Sequence, residues 1–263
     1  MIDKDRGTSV NTSFFANRRA LLASITLAGA LAVAVLSLAS AAQGGSRAGA
    51  LYPRSTKLTD DKVAHWAVLM RRTVVRAKPG LASRVMTTLP AGTTDGTQND
   101  VLVLSRIDIS PRSSWYRVRL PILPNNSTGF VRKRDLSPLF TVHTHLYINR
   151  GATSATLKRD GKVVFKTRVG VGKSYWPTPR GEFYVRDKLT NFNNPFYGPL
   201  AFGISARSAV LTDWPGGGYV GIHGTNEPQL IPGHISHGCI RLRNAAILAL
   251  GRLMPVGTPV TIR

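Results

Sequence analysis

A mainly β chain, made of a small barrel followed by a β sandwich with one late helix, is predicted by three features of the sequence. The apolar runs are short and are separated by Gly, Pro, Asp and Asn, without sustained helical spacing. An Asp160-Gly161 pair stands between two of them, where it supplies the positive φ angles of a tight hairpin. Only one stretch, close to the C-terminus, carries a helical apolar stripe.

The N-terminal segment is read before the folded parts. Lys4, Arg6, Arg18 and Arg19 precede a charge-free stretch from Ala20 to Ser46, whose apolar heart is Ala20 to Leu38, followed by the small residues Ala39-Ser40-Ala41-Ala42. That order is the pattern of a secretory signal. An apolar run of 19 residues, at about 1.5 Å each, nearly crosses a hydrocarbon core of about 30 Å. Residues 1–42 are therefore expected to be a signal peptide or a retained signal anchor with its basic end in the cytoplasm, and the remainder is expected to be exported. Residues 43–62 lack sustained periodicity and read as a linker.

Residues 63–139 form a first block. Trp66 to Met70, Val74 to Arg76, Val85 to Leu89, Val101 to Leu104 and Trp115 to Leu120 are short strand candidates, punctuated by Pro79-Gly80 and Pro90-Ala91-Gly92. Residues 140–263 form a second block. Val142, Thr144, Leu146 and Ile148 alternate with polar neighbours; Thr153 to Lys158 and Val163 to Val169 flank the Asp-Gly turn; Gly181 to Arg186 and Val256 to Ile262 complete the strands. The helix is expected over Asn244 to Leu253, capped by Asn244, ended by Pro255 and weakened by Gly251.

Composition limits the function. The 263 residues carry 35 Lys plus Arg against 13 Asp plus Glu, a formal charge of +22, and are 43% hydrophobic. This excludes a disordered, collagen-like or polytopic membrane chain. The charge is diffuse, at +4, +8 and +10 for residues 1–56, 57–139 and 140–263, with no basic run longer than Arg132-Lys133-Arg134. Such a field attracts anionic envelope polymers as readily as nucleic acid, and no nucleic-acid motif accompanies it. A single cysteine, Cys239, rules out an intramolecular disulfide.

That cysteine sits in the richest stretch of the chain, His223 to Asn244 (HGTNEPQLIPGHISHGCIRLRN). A lone thiol in an exported protein is either buried and inert or a nucleophile. Arg241, Arg243, His223, His234 and His237 surround it in sequence and are expected to favour thiolate over thiol. Gly238 frees the backbone beside the sulfur, so that the N–H groups of His237, Gly238 and Cys239 can point at one oxygen as an oxyanion hole.

This stretch resembles the signature of the L,D-transpeptidases of bacterial peptidoglycan, a His, a spacer, then Ser/Thr-His-Gly-Cys and a following Asn. Here His223 and Cys239 are 16 apart, Ser236-His237-Gly238-Cys239 is complete, and Asn244 follows. Gly170-Val171-Gly172 and Thr178-Pro179-Arg180-Gly181-Glu182-Phe183 look like early strands of that family, and Tyr197-Gly198-Pro199 resembles part of its active-site flap. Residues 63–139 resemble a bacterial SH3-like domain through the order of Val75-Arg76, Pro79, Leu89-Pro90-Ala91-Gly92, Trp115-Tyr116-Arg117-Val118 and Gly129-Phe130-Val131. Such a domain either binds a cell-wall peptide or acts as a spacer.

The resemblance implies that Cys239 is the nucleophile, that His223 is its base and that the Gly224 carbonyl orients His223. His237 supports, or is a rival base, and Gly238 contributes to the oxyanion hole. Arg241, Ser236, Tyr197 and Asn244 are the substrate-side candidates; Arg241 holds a carboxylate or packs as a structural guanidinium, and Asn244 caps the helix. Cys239 would attack the third stem residue, release D-Ala and pass the acyl group to the amine of a second stem, or to water as an L,D-carboxypeptidase. Partners implied are donor and acceptor stem peptides, with carbapenems as inhibitors, at the cell wall or the outer face of the membrane. No metal and no cofactor is required. Three rivals remain: a papain-like peptidase, in which Cys normally precedes His; a zinc site from His234, His237 and Cys239, with His143 and His145 elsewhere; and a non-catalytic wall-binding protein.

Overall fold

Strands dominate because β-branched and aromatic residues recur between turn-formers, and the computed structural model of the chain, which describes residues 51–93, 96–190, 194–212 and 218–263, arranges them in two sheets. The expected signal segment and most of the expected linker lie outside the described residues. Among the described residues no helix is long and apolar enough to cross a membrane.

The first sheet contains β1 (Arg54–Lys57), β2 (Ala64–Val68), β3 (Thr73–Arg76), β4 (Val85–Leu89), β5 (Asp100–Ser110), β6 (Ser113–Arg119), β7 (Thr128–Arg132) and β8 (Phe140–Val142). Their order is β4-β3-β7-β6-β5-β2-β8, with β1 paired to β5. Ala67, Leu69, Val75, Val101, Val103, Val118 and Val131 fill its core.

The second sheet contains β9 (Thr144–Asn149), β10 (Ser154–Arg159), β11 (Lys162–Arg168), β12 (Gly170–Gly172), β13 (Gly181–Thr190), β14 (Leu200–Arg207), β15 (Tyr219–His223), β16 (Gly233–Ser236), β17 (Ile240–Arg241) and β18 (Pro259–Ile262). The order is β11-β10-β9-β18-β13-β14-β15-β17-β12-β16. Asp160 and Gly161 both have positive φ, as the hairpin between β10 and β11 requires. The one α-helix among the described residues, α1 (Asn244–Leu253), packs against β14. Gly251 has a steric reason to be small: a Cβ there would stand 2.7 Å from Leu200 Cδ1.

Three expectations are corrected. Residues 54–57, inside the expected linker, form β1, because their backbone pairs antiparallel with residues 105–108 of β5. The strand expected from Val142 to Ile148 is broken at His143, so that Phe140–Val142 pairs with β2 of the first sheet while Thr144–Asn149 joins the second. Alternation alone does not reveal that break, since both halves keep an apolar face. The helix begins one residue earlier than a capping Asn244 would allow: the cap is Arg243, which makes no side-chain cap bond.

The described residues form one compact unit in which the sheets share a small core of Ala64, Leu102, Val142 and Tyr184, with Trp66 against it. The Tyr184 hydroxyl donates to the Asp100 carbonyl at 2.8 Å. Asp100 itself is buried, and desolvation raises its carboxyl to about 7 against the opposing pull of Arg186. Gly257 has φ +83°, and a Cβ on it would lie 2.0 Å from Trp66 Cδ1. Alanine at Gly257 is expected to cost about 2 kcal/mol, through the strained φ and a displaced indole. A scan of thermal unfolding checks this, with a fall in Tm of about 5 °C expected.

Candidate active site

Two adjacent parallel strands set the register of the site. Ile222 pairs with Ile240 and His223 with Arg241. Side chains alternate along each strand, so Ile222 and Ile240 enter the core, fully buried, while Gly221, His223, Cys239 and Arg241 share the opposite face. Burial of each isoleucine contributes roughly 2 kcal/mol and resists a one-residue slip that would turn the polar set inward. Residues sixteen apart in sequence are thereby neighbours on one face.

The Gly221 N–H donates to Cys239 Sγ at 3.3 Å. A Cβ built on Gly221 would stand 3.7 Å from His223 Cδ2 and 3.9 Å from Cys239 Sγ, so the imidazole and the sulfur flank the same glycine. His223 Nδ1 meets the Gly224 carbonyl at 2.6 Å, as expected, and the tautomer that donates there leaves the lone pair on Nε2. Tyr197 stands edge-on to His223 with centroids 4.9 Å apart, and Phe196 lies 6.1 Å away. Both come from a 3-10 turn, Pro195–Tyr197, started by the Asn194 side chain, which accepts the Phe196 N–H.

The protonation state differs from expectation. His223 is buried, and desolvation lowers it to about 4, outweighing the opposite effect of its bond to Gly224. The Cys239 thiol is pushed up, first by desolvation, while the Gly221 N–H and Arg241 pull it down more weakly. The surrounding cations thus do not win: the resting pair is a neutral thiol beside a neutral imidazole.

Ser236, Gly238 and Asn244 are held by the scaffold. The Ser236 hydroxyl donates to the Cys239 carbonyl at 2.6 Å and accepts the Gly238 N–H at 3.1 Å, so it closes the turn that presents the sulfur. Gly238 at φ +116° is therefore a turn residue, with its N–H engaged by the Ser236 hydroxyl. Its carbonyl accepts from Thr178 Oγ1 at 2.8 Å, and Thr178 Oγ1 accepts the Gly172 N–H at 2.8 Å. The Asn244 carboxamide oxygen accepts the Thr225 N–H at 2.8 Å and abuts Gly198 and Gly224, fastening the backbone that carries the Gly224 carbonyl instead of capping α1.

Arg241 is buried; its Nη1 donates to Glu227 Oε2 at 2.9 Å, its guanidinium lies 4.4 Å from the Phe196 ring centroid, and its Nε has no hydrogen-bond partner among the described residues. Of the two expected roles, holding a carboxylate or packing as a structural guanidinium, one nitrogen is thus already committed to Glu227. His237 stacks on Trp176 with centroids 3.9 Å apart and is lowered by desolvation, then by Lys173 and Arg241. His223, Tyr197, Ser236, His237, Cys239 and Arg241 all line one pocket, together with Phe196 and Tyr219. Among the described residues no group of three His, Cys, Asp or Glu side chains is placed to hold a metal, and His234 Nδ1 faces the Gly172 carbonyl at 3.2 Å.

Sequence reasoning missed Gly221, Thr178, Phe196, Tyr219 and Glu227. Gly221 was readable from strand alternation, two residues before His223; the others act across the fold and leave no local pattern.

Comparison with known proteins shows the family of the segment that carries this site. A family model described as YkuD, an L,D-transpeptidase catalytic domain, matches residues 143–262, which include both His223 and Cys239. The putative L,D-transpeptidase YkuD of Bacillus subtilis (strain 168) is 34% identical over 123 residues, covering 47% of this chain and 68% of the relative. The putative L,D-transpeptidase YqjB of the same strain is 32% identical over 126 residues, covering 45% and 70%. The solved catalytic domain of an E. faecium L,D-transpeptidase is similar at 26% identity and a TM-score of 0.35, covering 46% of this chain and 96% of that one.

Proposed function

Because this chain belongs to the L,D-transpeptidase family, we propose that Cys239 is the nucleophile of a peptidoglycan transpeptidase and His223 its base. The observation that carries the reading is the shared face of β15 and β17, where Gly221 N–H, the His223 ring and Cys239 Sγ converge while the Gly224 carbonyl fixes the imidazole. As Sγ attacks the carbonyl carbon of the third stem residue, its proton passes to His223 Nε2. The C–N bond to D-Ala then breaks, and the departing amine takes that proton. A thioester remains on Cys239. The side-chain amine of a second stem attacks it, gives a proton to His223, and restores the thiol with a 3→3 crosslink formed.

A neutral pair suits this route, since the lone pair on Nε2 is available at every pH above about 4. The Gly238 N–H being engaged, the developing oxyanion falls to the Cys239 N–H. The substrate is extracellular, which fits export by residues 1–42, and we read the first sheet as the SH3-like domain its motifs resemble.

Purified protein given disaccharide tetrapeptide is expected to release D-Ala and yield crosslinked dimer, and meropenem is expected to leave one adduct, on Cys239. Release of D-Ala without dimer would make water the acceptor and the enzyme an L,D-carboxypeptidase. Wall binding without turnover or adduct would leave only a binding protein.

A further inference from the structure

Tyr219 lines the pocket, and its hydroxyl reaches out of the second sheet: it donates to the Pro121 carbonyl at 3.0 Å. Pro121 belongs to the loop between β6 and β7, and that loop grips the second sheet at two further points. Asn125 Nδ2 donates to the Arg207 carbonyl at 2.7 Å while Asn125 Oδ1 accepts the Arg207 N–H at 3.0 Å. Asn126 Oδ1 accepts the Glu182 N–H at 2.6 Å. Glu182, Arg207 and Tyr219 lie on β13, β14 and β15, so one loop holds three consecutive strands of the catalytic sheet.

The third of those strands is the one that matters chemically. Tyr219, Gly221 and His223 stand at positions i, i+2 and i+4 of β15, on one face. Gly221 supplies the N–H on Sγ, and His223 is the proposed base. Arg207 is the register partner of Tyr219, and the Tyr219 ring lies against two guanidiniums, Arg186 at 4.3 Å and Arg207 at 4.8 Å. The ring is therefore held by two guanidiniums and pinned at its tip, and these three restraints define its place in the lining it shares with Cys239.

We propose that Tyr219 is a positioning residue for the stem peptide and that the β6–β7 loop sets the shape of the pocket through it. The first sheet is then part of the substrate site, beyond any separate ligand it takes. This inference rests on the function proposed above, and its test separates the two. Tyr219→Phe keeps the ring against its guanidiniums and removes only the bond to Pro121. Asn125→Ala loosens the same loop from Arg207 without touching the pocket.

Cys239 is the sole thiol, so labelling reports on it alone. The ratio of labelling by a bulky N-arylmaleimide to labelling by iodoacetamide measures the opening of the pocket without any substrate. In each variant this ratio is expected to rise at least about fivefold, the scale of one lost hydrogen bond, since Tyr219→Phe loses one and Asn125→Ala two, with iodoacetamide labelling unchanged. The KM for tetrapeptide is expected to rise by a similar factor at constant kcat. An unchanged ratio in both variants, with or without a lower Tm, overturns the proposal and leaves the loop a structural staple. A changed ratio in a protein that never turns over tetrapeptide upholds the pocket wall and defeats the transpeptidase reading instead.

Discussion

Alanine at His223 is expected to slow acylation of Cys239 by about a thousandfold, the usual scale for a positioned base. The thiol it serves is held above its ordinary range by desolvation, so the fraction ionised without help is small near neutrality. Mass spectrometry of the meropenem adduct against time gives the rate directly. The pH profile gives an independent check with a definite sign. With His223 lowered to about 4, its imidazole stays neutral down to that pH, and the acid limb of the acylation rate is expected near 4 and not near 6.5. A limb near 6.5, or a variant with normal acylation, would move the base role to His237, whose shift is also downward but which sits at the solvent side of the pocket, stacked on Trp176.

The same group links stability to pH. Between about 6.5 and about 4 the unfolded chain binds a proton on His223 that the folded chain refuses, so stability is full above that window and falls as pH falls through it, by up to about 3 kcal/mol. Asp100 works in the other direction. Its carboxyl is raised to about 7, so its neutral form is favoured on folding; that contribution is present below the unfolded carboxylate range and is lost as pH rises through about 7. The two losses run in opposite directions across the same window, from about 4 to about 6.5, so they largely cancel there, and only the Asp100 loss is left between about 6.5 and about 7.

How much of this was legible in the sequence depends on the range of the interaction. The Asp160-Gly161 hairpin was readable because both positive φ angles are a property of two adjacent residues. The nucleophile, the base and the Gly224 carbonyl were readable because they fall in one motif and its resemblance. The protonation of Cys239 was not, since local cations are visible in sequence while the desolvation that outweighs them is created only by the folded chain. Asn244 was misread for a similar reason: beside a helix start a cap is the local option, whereas its partner, the Thr225 N–H, lies 19 residues back in the chain. The break at His143 was hidden because the two sheets meet there and each takes half of one alternating pattern.

A methyl group on Gly172 is expected to disrupt the packing beneath the nucleophile. The Cβ of Gly172→Ala would stand 2.2 Å from the Trp176 carbonyl oxygen, 2.5 Å from the Thr178 nitrogen and 2.8 Å from the Pro177 carbonyl carbon. All three are backbone atoms, so no rotamer change relieves the overlap, and the segment 176–178 must move away from β12. Everything that segment holds moves with it. Thr178 Oγ1 accepts the Gly172 N–H and donates to the Gly238 carbonyl, and Trp176 is the platform for His237. A loss of about 3 kcal/mol is expected, with a fall in Tm of about 10 °C. Thr178→Val separates the clash from the hydrogen bonds: it keeps the shape, removes both bonds, and is expected to cost about 1–2 kcal/mol while slowing acylation of Cys239 about tenfold through a loosened Gly238 turn. Calorimetry and meropenem kinetics on both variants decide the matter. A Gly172→Ala protein that melts and acylates like the parent would mean that β12 and residues 176–178 do not approach as closely as the cradle of the nucleophile requires.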